Sequence, residues 1–420
     1  MIIRLAAKGG APRLYRLPAL TELTGALRGR LPAIDRIIGA DDAEGLLFVR
    51  TAKGEVLAYD LQSGRSDTVA TGVTLATLGP DGTLFTVDAK RHVVSYSRRS
   101  RSVWPQTLAA VPQAMFGGAD QRLIAVTAQA SPKLVSEAAD QPAVIRAFPG
   151  TGVVDVARWG DEVASATDSG VLLIEPLGRR APGFVPLTDH PTGVTFSPAG
   201  HRLYVTRKTG LGLAVVDRFA REEMDGIALP GTARAIRLDP LGRWLLARAG
   251  TGDSIWVVDL PPKTFTGSVA SAWGDDLPLV ALDGTLLVRQ GADVAAYRPD
   301  SVREEGRIPG GAADLWLATG WIPSGSSRSA ALADAPGPAA AAGDTTAGAL
   351  YVQVSISQNK EWSEGMAQQL TRAGLTAKVL PPTSGDDGYR VVLGPFATRE
   401  QAEDTGRKLG RPYWIYQPSQ

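Results

Sequence analysis

One pattern of strand, turn, strand, turn and strand recurs along the first three-quarters of this 420-residue chain, and it restricts the fold more than any other feature. The clearest copy is GVTFSPAGHRLYVTRKTGLGLAVVDR (Gly193–Arg218), and AIRLDPLGRWLLARAGTGDSIWVVDL (Ala235–Leu260) matches it nearly position for position. Looser copies occupy Val73–Arg98, Val153–Pro176 and Leu277–Pro299, with weaker ones at Ile34–Leu61 and Ala114–Val135. The third strands end near Asp60, Tyr96, Val135, Glu175, Asp217, Asp259 and Tyr297, a spacing of about 36–42 residues that suits a four-stranded blade.

A single sheet of this kind cannot bury both of its apolar faces, whereas sheets stacked radially around an axis bury both and leave only short edges. The expectation is therefore an all-β propeller over residues 1–321, with seven or eight blades. Met1–Gly25 reads as the later strands of a blade, and ADLWLATGW (Ala313–Trp321) as an inner first strand. Together they supply an eighth blade from distant parts of the chain; the alternative is seven blades with the N-terminus as an outer strand. Through FSPAGHRLYV (Phe196–Val205) and IWVVDL (Ile255–Leu260) the repeats resemble the YVTN/WD40-like propellers. That resemblance specifies architecture and is nearly silent on activity.

Residues 322–348 are rich in Pro, Ala, Gly and Ser with almost no large apolar side chain, which predicts a flexible linker. A second unit, 349–420, follows. LYVQVSIS (Leu350–Ser357) reads as a strand, and Asn359 caps a helix carrying Trp362, Met366, Leu370 and Ala373 at helical spacing, with Gly374 as its stop. TAKVL (Thr376–Leu380), YRVVLGPF (Tyr389–Phe396) and YWIY (Tyr413–Tyr416) supply three more strands, and a second helix begins near Thr398. The order βαββαβ predicts a small α+β fold, two helices over one face of a four-stranded antiparallel sheet.

This unit resembles the SPOR (sporulation-related repeat) domain through YVQV (Tyr351–Val354) and YRVVLGPFATREQAE (Tyr389–Glu403). The resemblance implies binding of peptidoglycan in the bacterial envelope, preferably glycan strands stripped of their stem peptides. Strand alternation independently leaves Gln353, Ser355, Lys378, Arg390, Val392, Trp414 and Tyr416 on the face away from the helices. Amide, hydroxyl and cationic groups there match sugar hydroxyls and acetamido groups, and aromatic rings stack on pyranoses. In the family, the glutamine of the first strand and the arginine of the third belong to this face, which carries over to Gln353 and Arg390.

Lys and Arg number 44 against 43 Asp and Glu, so no net field attracts nucleic acid or anionic lipid. The absence of cysteine excludes disulfides and thiol catalysis. No run of about twenty apolar residues predicts a transmembrane segment. Met1–Gly10 also lacks the apolar core of a secretory signal, so an envelope address requires a longer precursor or another export route, and a cytoplasmic scaffold is the alternative.

Only three histidines exist. His201 falls in a Pro-Ala-Gly-His turn, His92 in a surface hairpin, and His190 before a first strand whose end could face the axis. None is assigned to a metal, and no cofactor or catalytic residue is expected. Asp60, Asp217 and Asp259 recur at the ends of third strands, which reads as a repeated turn hydrogen bond. RRSRSVW (Arg98–Trp104) reads as a solvated connection between blades. Trp159, Trp244, Trp256 and Trp273 read as packing between blades. Taken together, the sequence predicts a non-catalytic envelope protein that binds glycan strands and offers its propeller to an unidentified protein partner. A propeller enzyme delivered to the wall is the alternative of a different class.

Overall fold

The computed structural model describes residues 1–97, 100–118, 121–127, 132–139, 141–149, 153–323, 350–357, 360–372, 375–382, 388–398, 401–402, 405 and 414–416. The predicted linker and the residues Asn359, Ala373 and Gly374 lie outside this set apart from Ile322 and Pro323.

Eight four-stranded antiparallel sheets form blades. Seven follow the chain in order: blade 1 (34–70), blade 2 (73–107), blade 3 (112–147), blade 4 (154–186), blade 5 (191–227), blade 6 (233–270) and blade 7 (279–308). Blade 8 takes its innermost strand, Leu315–Ala318, from after blade 7 and its three outer strands, Ile2–Leu5, Arg13–Arg16 and Thr21–Glu22, from before blade 1. Of the two counts left open by the repeats, the structure has eight. The two central strands of each blade are apolar runs, such as LLFV (Leu46–Val49) and VLAY (Val56–Tyr59), and are buried on both faces because each blade packs a neighbour on either side. Fourth strands such as Ser66–Ala70 stay largely exposed.

Eight apolar clusters fill the eight gaps between blades. Ile3, Leu14, Val49 and Tyr59 join blades 8 and 1, while Ile2, Trp316, Leu287 and Ala296 join blades 7 and 8. The ring is therefore continuous through the junction of early and late chain. There Ile2–Leu5 pairs antiparallel with Leu315–Ala318, Ile2 opposite Ala318 and Leu5 opposite Leu315. Trp316, 1% exposed, donates its indole N–H to Gly311 C=O at 2.9 Å and packs on the Tyr15 ring. Burying such a side chain stabilises by about 2–3 kcal/mol, which sets the scale of what this junction adds.

Polar ties repeat at the blade period. A carboxylate near one inner strand accepts a backbone N–H from the next blade: Asp81 from Gln121 at 3.4 Å, Asp155 from Phe196 at 2.7 Å and Asp276 from Trp316 at 2.9 Å. The turn aspartates behave as expected at two of three places. Asp60 accepts from the N–H groups of Gln62 and Ser63, and Asp217 from those of Phe219 and Ala220. Asp259 departs, because the residues two and three beyond it are Pro261 and Pro262 and carry no N–H. Its Oδ1 is buried without a hydrogen bond, and Oδ2 lies 3.6 Å from Arg243.

One expectation for the basic stretch is corrected. Ser100–Thr107 is the outermost strand of blade 2 rather than a connection, and Trp104 turns inward to meet the Phe85 ring edge-on at 6.1 Å. Apolar burial of that indole outweighs the solvation its basic neighbours favour. Trp244 and Trp256 pack between blades as expected.

A ninth four-stranded sheet is built from Leu350–Ser357, Ala377–Leu380, Tyr389–Phe396 and Trp414–Tyr416. Tyr389–Phe396 lies between Ala377–Leu380 and Leu350–Ser357, and Trp414–Tyr416 forms the edge beside Leu350–Ser357. The helix Lys360–Arg372 covers one face through Met366, Ala367 and Leu370, packed on Val352, Val354, Val391 and Leu393. It closes with Leu375 N–H on Leu370 C=O at 3.0 Å. Of the second helix, Gln401, Ala402 and Thr405 are described; Thr398 Oγ1 accepts the Gln401 N–H at 3.2 Å, a capping bond. Gly394, near the end of the strand Tyr389–Phe396, has φ +114°, and a Cβ there would meet the Phe396 ring at 2.8 Å, so this position requires glycine.

Candidate functional site

The sheet face opposite the helix is organised by one row of paired residues. Lys378 pairs with Val392, Val392 with Gln353, and Gln353 with Trp414, so four residues expected on this face form a line across all four strands. Tyr351 pairs with Tyr416 on one flank of the row, and Arg390 pairs with Leu380 on the other. Tyr351 and Val392, both 0% exposed, and Leu380 form an apolar floor with Tyr416 packed against it.

The polar groups sit on that floor. Lys378 Nζ donates to Tyr351 Oη at 3.0 Å and lies 4.5 Å from the Tyr351 ring centroid. The Arg390 guanidinium lies 5.0 Å from the Tyr416 ring centroid, so the two side chains reach toward each other from opposite flanks of the row. A guanidinium or ammonium on an aromatic face keeps donors of the kind that suit carboxylate, hydroxyl and acetamido acceptors, although Arg390 Nη1 is itself buried.

Ser355 is the residue that alternation misplaces. The register shifts between Gln353, opposite Val392, and Ser355, opposite Val391, whose side chain belongs to the helix-side core. Ser355 is 4% exposed, and its Oγ is buried without a hydrogen bond. A bulge inserts one extra residue and changes which way the following side chains point. Nothing in a run as regular as YVQVSIS marks its position. Tyr351 is the opposite case: alternation back from Gln353 points to this face, and it belongs there, packed with Val392 and Leu380.

Turns of blades 4, 5 and 6 on one side of the propeller form a wall beside the terminal unit, against residues of this face and of the helix side (Val354, Met366, Ile415) alike. Between the two lies a cavity of about 330 Å³. The terminal sheet contributes Gln353, Arg390 and Tyr416 to its lining. The propeller contributes Arg158 from blade 4, Arg202 and Tyr204 from blade 5 and Leu241 from blade 6. His201 also lines it; burial, then the nearby Arg202, pushes its imidazole down to about 4, so at neutral pH it is an uncharged hydrogen-bonding group.

The propeller wall is held from beneath. Arg218 is buried between blades 4 and 5, donating Nε to Glu162 at 2.5 Å, Nη2 to Asp161 and Nη1 to the Gly200 carbonyl at 3.1 Å. Its guanidinium also lies 5.3 Å from the ring centroid of Phe219, which faces the cavity. The other two histidines are elsewhere: His92 Nδ1 is 2.8 Å from Asp88 in an exposed hairpin, and the His190 ring nitrogen Nδ1 contacts the Asp168 carbonyl. Among the described residues no group of three or more His, Cys, Asp or Glu is placed to hold a metal ion.

The family model for the SPOR domain matches residues 346–411. No curated protein gives a match. Among solved structures, dihydro-heme d1 dehydrogenase NirN in complex with DHE aligns with a TM-score of 0.54 at 14% identity, covering 74% of this chain and 73% of that one. Apo AztD from Citrobacter koseri aligns at 0.53 and 10% identity, covering 76% of this chain and 99% of that one. At these identities the likeness is one of fold: the chain contains a β-propeller, and its C-terminal part carries a SPOR domain.

Proposed function

We propose that this chain is a non-catalytic protein of the bacterial cell envelope. In this reading residues 349–420 bind peptidoglycan glycan strands, residues 322–348 act as a tether, and residues 1–321 present a propeller to a protein partner during division or wall remodelling. The observation that carries the reading is the cross-sheet row Lys378, Val392, Gln353 and Trp414, flanked by Arg390 and Tyr416, in a unit whose residues 346–411 match the SPOR domain. A glycan strand is a ribbon of alternating apolar ring faces and polar edges. An apolar floor bordered by a guanidinium, an ammonium and an amide is complementary to such a ribbon.

An envelope location fits this ligand, and no helix among the described residues is long and apolar enough to cross a membrane. The test is co-sedimentation of the full chain with purified sacculi. Arg390→Ala is expected to weaken retention about tenfold, and amidase treatment of the sacculi, which removes stem peptides, is expected to strengthen it. Unchanged retention of Arg390→Ala, or none of the wild-type chain, refutes the assignment.

A further inference from the structure

Three adjacent turns of the propeller differ from the others at one position, and they are the three that meet the terminal unit. In blades 1 to 7 the turn after the first strand ends on a residue of positive φ, a glycine in every blade but the third, where it is Gln121. The residue before it is acidic in blades 1, 2, 3 and 7, as Glu44, Asp81, Asp120 and Asp283. In blades 4, 5 and 6 it is apolar, as Trp159, Ala199 and Leu241. These same three turns line the cavity beside the terminal unit, through Arg158, Ala199 and Leu241.

A carboxylate holds water on an exposed turn, and neighbouring turns that lack one leave a surface that water solvates poorly. Phe219, 40% exposed at the end of the third strand of blade 5, and Pro240 extend that surface. The terminal unit meets it with Val354, Met366 and Ile415 from the helix side and with Gln353, Arg390 and Tyr416 from the binding face. An apolar centre bordered by amide, guanidinium and phenol groups is the composition of a specific protein contact.

We propose that the turns of blades 4, 5 and 6 are a docking surface for the chain's own terminal unit, and that docking shields one flank of the glycan-binding face from an extended strand. This rests on the reading of that sheet as the glycan-binding face. The cavity of about 330 Å³ is at the lower end of small-molecule sites, about 300–1,000 Å³. It has room for a short sugar fragment but not for a polymer that continues beyond it in both directions. Arg390 Nη1 is buried in this arrangement. A strand laid over Gln353, Arg390 and Tyr416 therefore displaces the propeller turns. Tethering keeps the two surfaces at an effective concentration on the order of millimolar, so a weak apolar contact is enough to hold them together. A face that is open a tenth of the time binds its ligand about tenfold more weakly than one always open.

Binding of amidase-stripped glycan strands is measured with the full-length chain. Leu241→Asp restores the acid of the other turns, and Leu241→Ser shortens the side chain without adding charge. Each should bind the strands about tenfold more tightly than the wild type, with an unchanged unfolding temperature. Since the chain has no cysteine, Ala199→Cys places a unique thiol on the docking surface. Its labelling by a maleimide carrying a polyethylene glycol chain should quicken when strands are added, and also when Leu241→Asp is combined with it.

If the wild-type chain binds strands and the Leu241 variants bind them no better, docking does not shield the face, and the proposal fails while the proposed function stands. If the Leu241 variants bind more weakly and strands slow the labelling, the propeller is a wall of the site, which also overturns it. If no chain binds strands, the glycan reading is what has failed. The docking surface is then judged by labelling alone: equal rates for Ala199→Cys with and without Leu241→Asp would refute it.

Discussion

Arg4 Nε donates to Asp314 Oδ2 at 2.6 Å, linking the second strand of blade 8 to the approach of its innermost strand, 310 residues further along the chain. Arg4 Nη2 also donates to the Gly310 carbonyl at 3.0 Å, and its guanidinium lies 5.6 Å from the Trp316 ring centroid. The pair is mostly sheltered from solvent, so it escapes much of the screening that makes surface pairs weak. Arg4→Ala and Asp314→Ala should each lower stability by about 1–3 kcal/mol. A double-mutant cycle in urea should return a coupling of about 1 kcal/mol, and additive effects would show that the pair does not tie the ring.

The Arg218 network makes a stronger prediction. Asp161 and Glu162 on blade 4 both face this one guanidinium from blade 5, and Glu162 is buried. Proximity of the two carboxylates raises the Arg218 pKa although burial opposes it. Arg218→Met removes the cation and leaves two carboxylates in a confined space, a loss of about 3–5 kcal/mol. Replacing all three residues by Met, Asn and Gln should recover much of that loss, since no charge is then stranded. Equal denaturation midpoints for the single and triple variants would contradict this.

Asp155 gives a pH dependence whose sign is opposite to that of most carboxylates. Burial pushes its pKa up to about 6, although N–H groups of Phe196 and Val156 act to lower it. The folded chain therefore holds a proton that the unfolded chain, with an ordinary value near 3.8, releases between about pH 4 and 6. Its contribution is greatest below pH 4 and is lost as pH rises through 6. Asp155→Asn keeps an acceptor for Phe196 and removes the charge, so it should be more stable than the parent above pH 6, by on the order of 2 kcal/mol. The difference should vanish near pH 4. Calorimetric scans from pH 4 to 8 check this, and a parent chain more stable than the variant at pH 8 would disprove it.

The repeated turn aspartates should not be equivalent. Asp217→Ala removes an acceptor from two N–H groups and should cost about 1 kcal/mol. Asp259→Ala, in the same place one blade later, should be close to neutral, because prolines stand where its donors would be. Urea midpoints of the two variants decide the matter, and equal losses would mean that the turn bonds are not what the aspartates provide.

The contrast between these two aspartates shows how far the sequence carries. The propeller was legible because its period is long and its central strands are continuous apolar runs, a pattern that only stacking on both sides can bury. The blade closing the ring was legible as two fragments, but the count of eight needed the pairing of Ile2–Leu5 with Leu315–Ala318, a contact no local pattern encodes. On the terminal sheet, alternation correctly grouped Gln353, Val392 and Lys378, since each strand keeps its period of two up to that row. It failed at Ser355, where a bulge shifts the register. The facing of Arg158 and Arg390 was out of reach, because residues 232 positions apart with no shared motif meet only through tertiary packing. His201 was legible as a turn residue but not as part of a cavity wall.

Tyr351 separates what the binding face needs for folding from what it needs for its ligand. Its ring is buried in the floor with Leu380 and Val392, while its hydroxyl accepts from Lys378. Tyr351→Ala should open a void worth about 3–5 kcal/mol and unfold the terminal sheet, losing sacculus retention together with its CD signal. Tyr351→Phe keeps the ring and removes only the acceptor, so the unfolding temperature should hardly move. Lys378 would then lose its fixed position over the ring, and retention should fall about threefold. Restoration of that loss by Lys378→Met, which removes the freed charge, would show that the ammonium is merely parked there; the proposed contact of the ammonium with the sugar edge predicts no restoration.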